Sequence, residues 1–149
     1  MTFPDTSFLC SLYRRQVHSS RAIAFMAKHA APLPVSTLLL LEFRQSIRLQ
    51  IRLHHQDMSK GFAKQEGIQM LRDLQSDLVA RVIEIVPVDW SAVHQLAEGL
   101  SAGYTEAHGH RFADILHVAT ALQLGAAKFL TFDAKQKQLA EAEGMTVVV

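Results

Sequence analysis

At 149 residues the chain has the length of one domain and enough material for a proper core. A hydrophobic fraction of 49% with 19% charged residues excludes a disordered or fibrous chain. The formal net charge of +1 does not mark a nucleic-acid binder, but it hides a basic first half (residues 1–75, +5) and an acidic second half (residues 76–149, −4). Such halves can set a basic rim around an acidic centre.

Met1 to Phe3 reads as a short strand. Pro4 has no N–H for a ladder, so this strand is expected to be short or bent. Asp5-Thr6-Ser7 carries helix-start residues, and Phe8 to Tyr13 begins a helix. Cys10 is the only cysteine, which rules out an internal disulfide and fits a cytoplasmic, reducing location. Its apolar neighbours Phe8, Leu9 and Leu12 predict a buried structural thiol. The N-terminus has no basic region followed by an apolar core, so no secretory signal is expected.

Arg21 to Lys28 predicts a second helix, and Pro32 to Val35 an extended connection or strand edge. The apolar stretch Val35 to Leu41 is too short to span a bilayer. Ser36 can cap a long helix from Thr37 to about Leu53. Glu42 is an acid within its predominantly apolar run. Arg44, Arg48 and Arg52 recur every four residues and form one basic stripe, either a solvated face or an RNA contact.

His54 to Asp57 reads as a loop; its adjacent histidines lack a second pair at metal-ligand spacing. Lys60 to Leu78 predicts another helix, weakened by Gly61 and Gly67. Val82 to Val88 is the clearest strand by β-branched content. Asp89 caps a helix from Trp90 to about Leu100, with Trp90 in the core, and Ser101 to His110 reads as a loop.

The next helix is apolar nearly all round at Ile115, Leu116, Val118, Ala119 and Leu122, the mark of a core helix. Asp114 lies in its first turn, where the helix dipole favours a negative charge. Alone it reads as a helix-start carboxylate. Leu124-Gly125 stops the helix, and Lys128 to Asp133 returns as a strand. The ten residues outward span about 15 Å. The five residues back span about 16 Å. Asp133 should therefore return beside Asp114, at the carboxyl edge of a sheet, where open α/β folds place their sites. Ala134 to Glu143 is a last helix and Met145 to Val149 a last strand. Strands alternate with helices throughout, which predicts an α/β sandwich around a mostly parallel sheet in a single domain, residues 1–149.

Asp5, Glu42, Asp114 and Asp133 are all acids beside buried-looking sequence. Buried carboxylates repel one another and resist desolvation. A hard divalent cation would resolve both problems. Mg²⁺ or Mn²⁺ takes oxygen ligands, keeps waters and bridges to phosphate.

These residues carry a resemblance. Asp5-Thr6-Ser7, the Leu41-Glu42-Phe43 segment, Arg111 to Ala119 around Asp114, and Thr131-Phe132-Asp133 resemble the motifs of PIN-domain ribonucleases. They stand in the family's order over nearly the whole chain and are most similar to its toxin branch, the VapC type. The resemblance implies a PIN-like three-layer α/β/α sandwich and Mg²⁺- or Mn²⁺-dependent cleavage of RNA. It implies catalytic roles for Asp5, Glu42, Asp114 and Asp133, with Asp5, Asp114 and Asp133 holding metal and Ser7 and Thr131 in support. It also implies a homodimer and a cognate antitoxin whose tail enters the groove. Arg111 and His117 are read as structural or RNA-proximal, and Arg44 and Arg48 as RNA-proximal. The alternative is a PIN-like nucleic-acid-binding module with little or no nuclease activity. An α/β phosphatase is disfavoured, because Asp5 has no acid two residues on.

Overall fold

The structure is a computed structural model and describes residues 1–149. Strand β1 (Thr2–Pro4) is short, as Pro4 requires, and Asp5 caps α1 (Thr6–Tyr13). Helix α2 (Ser19–Lys28) leads to β2 (Leu33–Val35), and Ser36 then caps α3 (Thr37–Gln56) by accepting from the Leu39 N–H. Helix α4 (Lys64–Val79) precedes β3 (Ile83–Ile85), and Asp89 caps α5 (Trp90–Leu100). A π-helical turn (Ser101–Thr105) and α6 (Glu106–His108) continue from α5. Helix α7 (Phe112–Gln123), β4 (Lys128–Leu130), α8 (Ala134–Ala142) and β5 (Thr146–Val147) complete the chain.

All strand pairs are parallel. β4 lies between β1 and β5, with Phe3 opposite Phe129, and β2 pairs with β3, with Val35 opposite Ile85. β1 also lies against β2, so the two sheets adjoin at the centre of the fold. Parallel neighbours need crossovers, which the intervening helices supply. The helices form two packed groups. α1 touches α2, α3 and α4, whereas α7 packs on α5 and α8. The core is filled by Phe3, Phe8, Phe43 and Phe129, all fully buried, with Leu33, Val35 and Ile83 from the second ladder. Each such side chain contributes roughly 1.5–3 kcal/mol on burial. Helix α7 is the predicted core helix, buried continuously from Asp114 to Ala121.

Several expectations are corrected. His54, His55 and Gln56 belong to the last turn of α3, not to a loop; nothing before Asp57 breaks the helical hydrogen bonding. Residues 101–108 are helical rather than a loop, because the chain leaves α5 by widening into a π turn and is stopped only at Gly109, φ +67. The strands at 82–88, 128–133 and 145–149 are cut to two or three residues each. Past β3 and β5 one further backbone bond follows, from the Val86 N–H to Val35 and from the Val148 N–H to Phe129, whereas past β4 the backbone turns to side-chain partners. Thr131 and Asp133, for example, leave the ladder to serve as hydrogen-bonding groups at its edge. Cys10 is half-buried rather than enclosed.

Candidate active site

The Asp5 N–H donates to the Leu130 carbonyl at 3.0 Å, so the residues that follow two neighbouring parallel strands emerge side by side. Thr131 Oγ1 then donates to Asp5 Oδ2 at 2.5 Å. Asp5 Oδ1 accepts from Ser7 Oγ at 2.7 Å and from the Phe8 N–H at 2.9 Å. Ser7 in turn accepts from the Phe132 N–H at 2.8 Å. Asp5 is fully buried inside this lattice. Burial pushes its carboxyl up to about 6, against the opposing pull of Thr131, Ser7 and Phe8.

Glu42 projects from the first half of α3. His117 Nε2 lies 2.5 Å from Glu42 Oε2, and the Thr6 hydroxyl donates to the same oxygen. Burial alone would raise the carboxyl. The hydrogen bond and charge of His117, with Thr6 and the charge of Arg111, outweigh it and hold Glu42 below the usual carboxylate range. Ionised, Glu42 can only accept, so the imidazole carries its proton on Nε2.

Asp114 and Asp133 meet one guanidinium. Arg111 Nε donates to Asp114 Oδ2 at 2.9 Å, and its Nη2 donates to Asp114 Oδ1 at 3.2 Å and to Asp133 Oδ2 at 3.3 Å. The hydrogen bond to Asp114, then its charge, holds the guanidinium above its ordinary range. The other oxygen of Asp133 caps α8, accepting from the Lys135 and Gln136 N–H groups at 2.9 and 3.0 Å. The Asp133 N–H donates to Thr131 Oγ1 at 2.9 Å, which ties this acid to the Asp5 lattice. The matched outward and return lengths of α7 and the following strand therefore do bring Asp133 beside Asp114.

These groups define a cleft of about 290 Å³ lined by Ser7, Glu42, Arg111, Asp114, Asp133 and Gln136, among others. Asp5 and Thr131 do not line it, but Ser7, which does, is hydrogen-bonded to both. An all-oxygen set of carboxylates and hydroxyls suits a hard cation such as Mg²⁺ or Mn²⁺. The residues fit in chemistry and in number. No three of the acids are already gathered at ligating distance, however, and Arg111 supplies the positive charge between two of them. Cation binding would require Arg111 to let go and one hydroxyl to turn away from Asp5.

Arg44 and Arg48 do not line the cleft; Arg44 is half-buried on α3 and Arg48 is exposed. Three groups escaped the reading of the sequence: Thr6, Gln136, and His117 as the partner of Glu42. A signal existed for His117. It lies three residues after Asp114 and so on the same side of α7. A histidine in an apolar helix and an acid in another also invite each other as buried partners. Phe132 carries a further set of contacts: His18 stacks on it at 4.5 Å between centroids, and the Arg21 guanidinium lies 5.3 Å from its ring centre. No helix is long and apolar enough to cross a membrane.

The PIN-domain family model matches residues 2–142 of the chain. The chain belongs to the PIN-domain family. This PIN domain also has solved structural neighbours over almost its full length. VapC20 of Mycobacterium tuberculosis, described as a toxin that cleaves the sarcin–ricin loop, is 18% identical with a TM-score of 0.67, covering 98% of this chain and 97% of that one. FitAcB of Neisseria gonorrhoeae is 19% identical with a TM-score of 0.66, covering 100% and 97%. FitAB bound to an IR36 DNA fragment is 22% identical with a TM-score of 0.68, covering 99% and 94%. At these identities the neighbours establish the fold, that of a PIN domain. No curated protein sequence matches the chain significantly.

Proposed function

We propose that this PIN domain is a metal-dependent endoribonuclease that cleaves RNA phosphodiester bonds, and that it is the toxin of a toxin–antitoxin pair. The observation that carries the catalytic reading is the convergence of Glu42, Asp114 and Asp133 on one cleft, with Asp5 joined to its wall through Ser7. A bound Mg²⁺ or Mn²⁺ would supply an activated water and neutralise charge on the phosphoryl group. Asp114 and Asp133, with Asp5 once a hydroxyl turns, are the ligands this chain offers. Glu42, held ionised between His117 and Thr6, is an acceptor positioned to orient a water and take a proton from it. Arg111, once released from the acids, is a fork-shaped donor suited to a phosphate.

The reading extends to a toxin role, a cognate antitoxin, a homodimer and a cytoplasmic location, and it is supported by membership of the PIN-domain family and by the likeness to VapC20, a toxin. Exposed Leu41, with half-buried Leu38 and Trp90, offers an apolar face for the second copy. An antitoxin tail carrying a cation would replace Arg111 at Asp114 and Asp133.

The alternative is a nucleic-acid-binding PIN module with little or no nuclease activity. It is favoured by one observation, the engagement of Asp5 and Asp114 by donors of the same chain. A panel of structured and unstructured RNAs separates the two readings. Incubated with Mn²⁺, the wild-type protein should cut at least one of them, chelator should stop the reaction, and Asp114→Asn should be inert. Binding without cutting under every metal condition would favour the module.

A further inference from the structure

A second cavity, of about 570 Å³, opens between α5 and the start of α7. Its size is that of a small-ligand site. Ala97, Ile115 and Leu116 give it an apolar floor. Thr105, the last residue of the π-helical turn, and His110 also line it. His110 is only 6% exposed, yet neither ring nitrogen has a hydrogen-bond partner, and Thr105 Oγ1 is buried without one as well. Buried polar atoms are ordinarily satisfied, so three orphans in the wall of one cavity, closed to it at rest, mark a place where a turn of the His110 ring and the Thr105 hydroxyl toward the cavity would let a ligand supply the missing partners. Phe112, 77% exposed, stands at the rim with a free aromatic face.

The chemistry narrows the ligand. No Lys or Arg lines the cavity, so nothing in it neutralises a phosphate. An imidazole with one donor and one acceptor, beside a hydroxyl that can do either, matches the edge of an uncharged heterocycle. The apolar floor and the aromatic rim match its faces. Position links this cavity to the acids. Arg111 has extended backbone (φ −81, ψ 155), so neighbouring side chains alternate in direction. Arg111 reaches into the acid cleft, while His110 and Phe112 on either side of it line the cavity.

We propose that this cavity receives a nucleobase of the RNA strand, stacked on Phe112 and read at its edge by His110 and Thr105, while the adjoining phosphate lies at Arg111 and the acids. The proposal rests on the nucleic-acid reading above and deepens it, since it gives the cleft a means of selecting the nucleotide beside the cut.

The test is imidazole NMR of the full chain, with the His110 signals assigned through His110→Asn. The probes are the four nucleoside 5′-monophosphates, with ribose 5-phosphate as the probe lacking a base. Monophosphates should move the His110 signals, with one base preferred, and ribose 5-phosphate should not. Phe112→Ala, a surface change that leaves the fold intact, should weaken monophosphate binding about tenfold. Equal shifts with ribose 5-phosphate, or unaltered binding by Phe112→Ala, would overturn the proposal. So would His110 signals that move on dilution alone, which would assign the cavity to a contact between copies. Failure of the nuclease reading is distinct: a protein that binds monophosphates at His110 but cuts no RNA keeps the pocket and loses the activity. A protein that cuts RNA while its His110 signals ignore every monophosphate loses the pocket alone.

Discussion

His117 Nε2 lies 2.5 Å from Glu42 Oε2, a bond that joins α7 to α3 and fixes the orientation of a carboxylate at the cleft. His117 is 1% exposed and its Nδ1 has no partner, so its whole polar contribution is made to Glu42 and Thr6. Replacement by Leu keeps the volume but leaves Glu42 with the Thr6 hydroxyl alone. The expected loss is about 1–2 kcal/mol of stability and a larger loss of RNA cleavage. Denaturant titration and a cleavage assay on the same preparation check this. Gln in place of His, which restores a donor, should recover cleavage in part; a Leu variant as active as the wild type would remove His117 from any positioning role.

Asp5 makes the metal-free protein pH-sensitive. Its carboxyl is pushed up to about 6 from 3.8, so the folded state binds this proton more tightly than the unfolded chain does. Stability from this group is therefore present at low pH and falls as pH rises from about 4 to about 6, by about 3 kcal/mol across the window. Glu42, held low, acts in the opposite sense, below its ordinary 4.5. His110, held low by burial, also opposes it, near its ordinary 6.5. The comparison that isolates Asp5 is thus wild type against Asp5→Asn. Urea unfolding at pH 5 and pH 7.5, in chelator, should show the variant gaining on the wild type as pH rises. Parallel pH profiles for the two proteins would mean that Asp5 is not strained by its burial.

Arg111 is the internal counter-ion of the cleft. Its side chain is 70% exposed, so its pair with Asp114 is well screened. Arg111→Gln should cost no more than about 1 kcal/mol in chelator, and it should strengthen Mn²⁺ binding severalfold, because two carboxylates lose their competing cation. Thermal melts over a Mn²⁺ series check both parts. If the variant bound Mn²⁺ more weakly, Arg111 would be a support for the metal site and not its competitor.

Gly61 is fixed by backbone approach. Its φ is +59, and an added Cβ would lie 2.0 Å from the Gln50 carbonyl oxygen, in the second half of α3. Gly125 shares a positive φ of +68 but has open space around it. Gly61→Ala should therefore cost about 3 kcal/mol, left-handed strain plus overpacking, and Gly125→Ala only about 1–2 kcal/mol. Paired denaturant titrations read the difference, and equal losses would mean that the α3–α4 connection yields easily.

The parts of the site legible in the sequence were those written in local grammar. Asp5 is an N-cap directly after β1, Asp133 an N-cap three residues past the end of β4, and Asp114 lies in the first turn of a helix whose apolar circumference marks it as core. Helix and strand rise sufficed to return Asp133 to Asp114, although β4 itself stops at Leu130. What was not legible depends on distant pairing. Glu42 and His117 are 75 residues apart, and neither announces the other. The bidentate hold of Arg111 needs the guanidinium's direction, which spacing does not supply. The π-helical turn was hidden because Gly103 and Gly109 suggest a loop. Yet only Gly109 adopts a positive φ, and no neighbouring atom restricts Gly103. Strand ends were overextended because β-branched residues such as Val82 and Val86 continue past the ladder.

The proposed function requires that the acids of this cleft hold a divalent cation between them. Isothermal titration of the wild type and Asp114→Asn with Mn²⁺ decides the matter. The wild type should bind Mn²⁺ with a heat that Asp114→Asn loses, while the variant's melting temperature in chelator stays at or near the wild-type value. Equal Mn²⁺ binding by the two proteins, or none by the wild type, would contradict it.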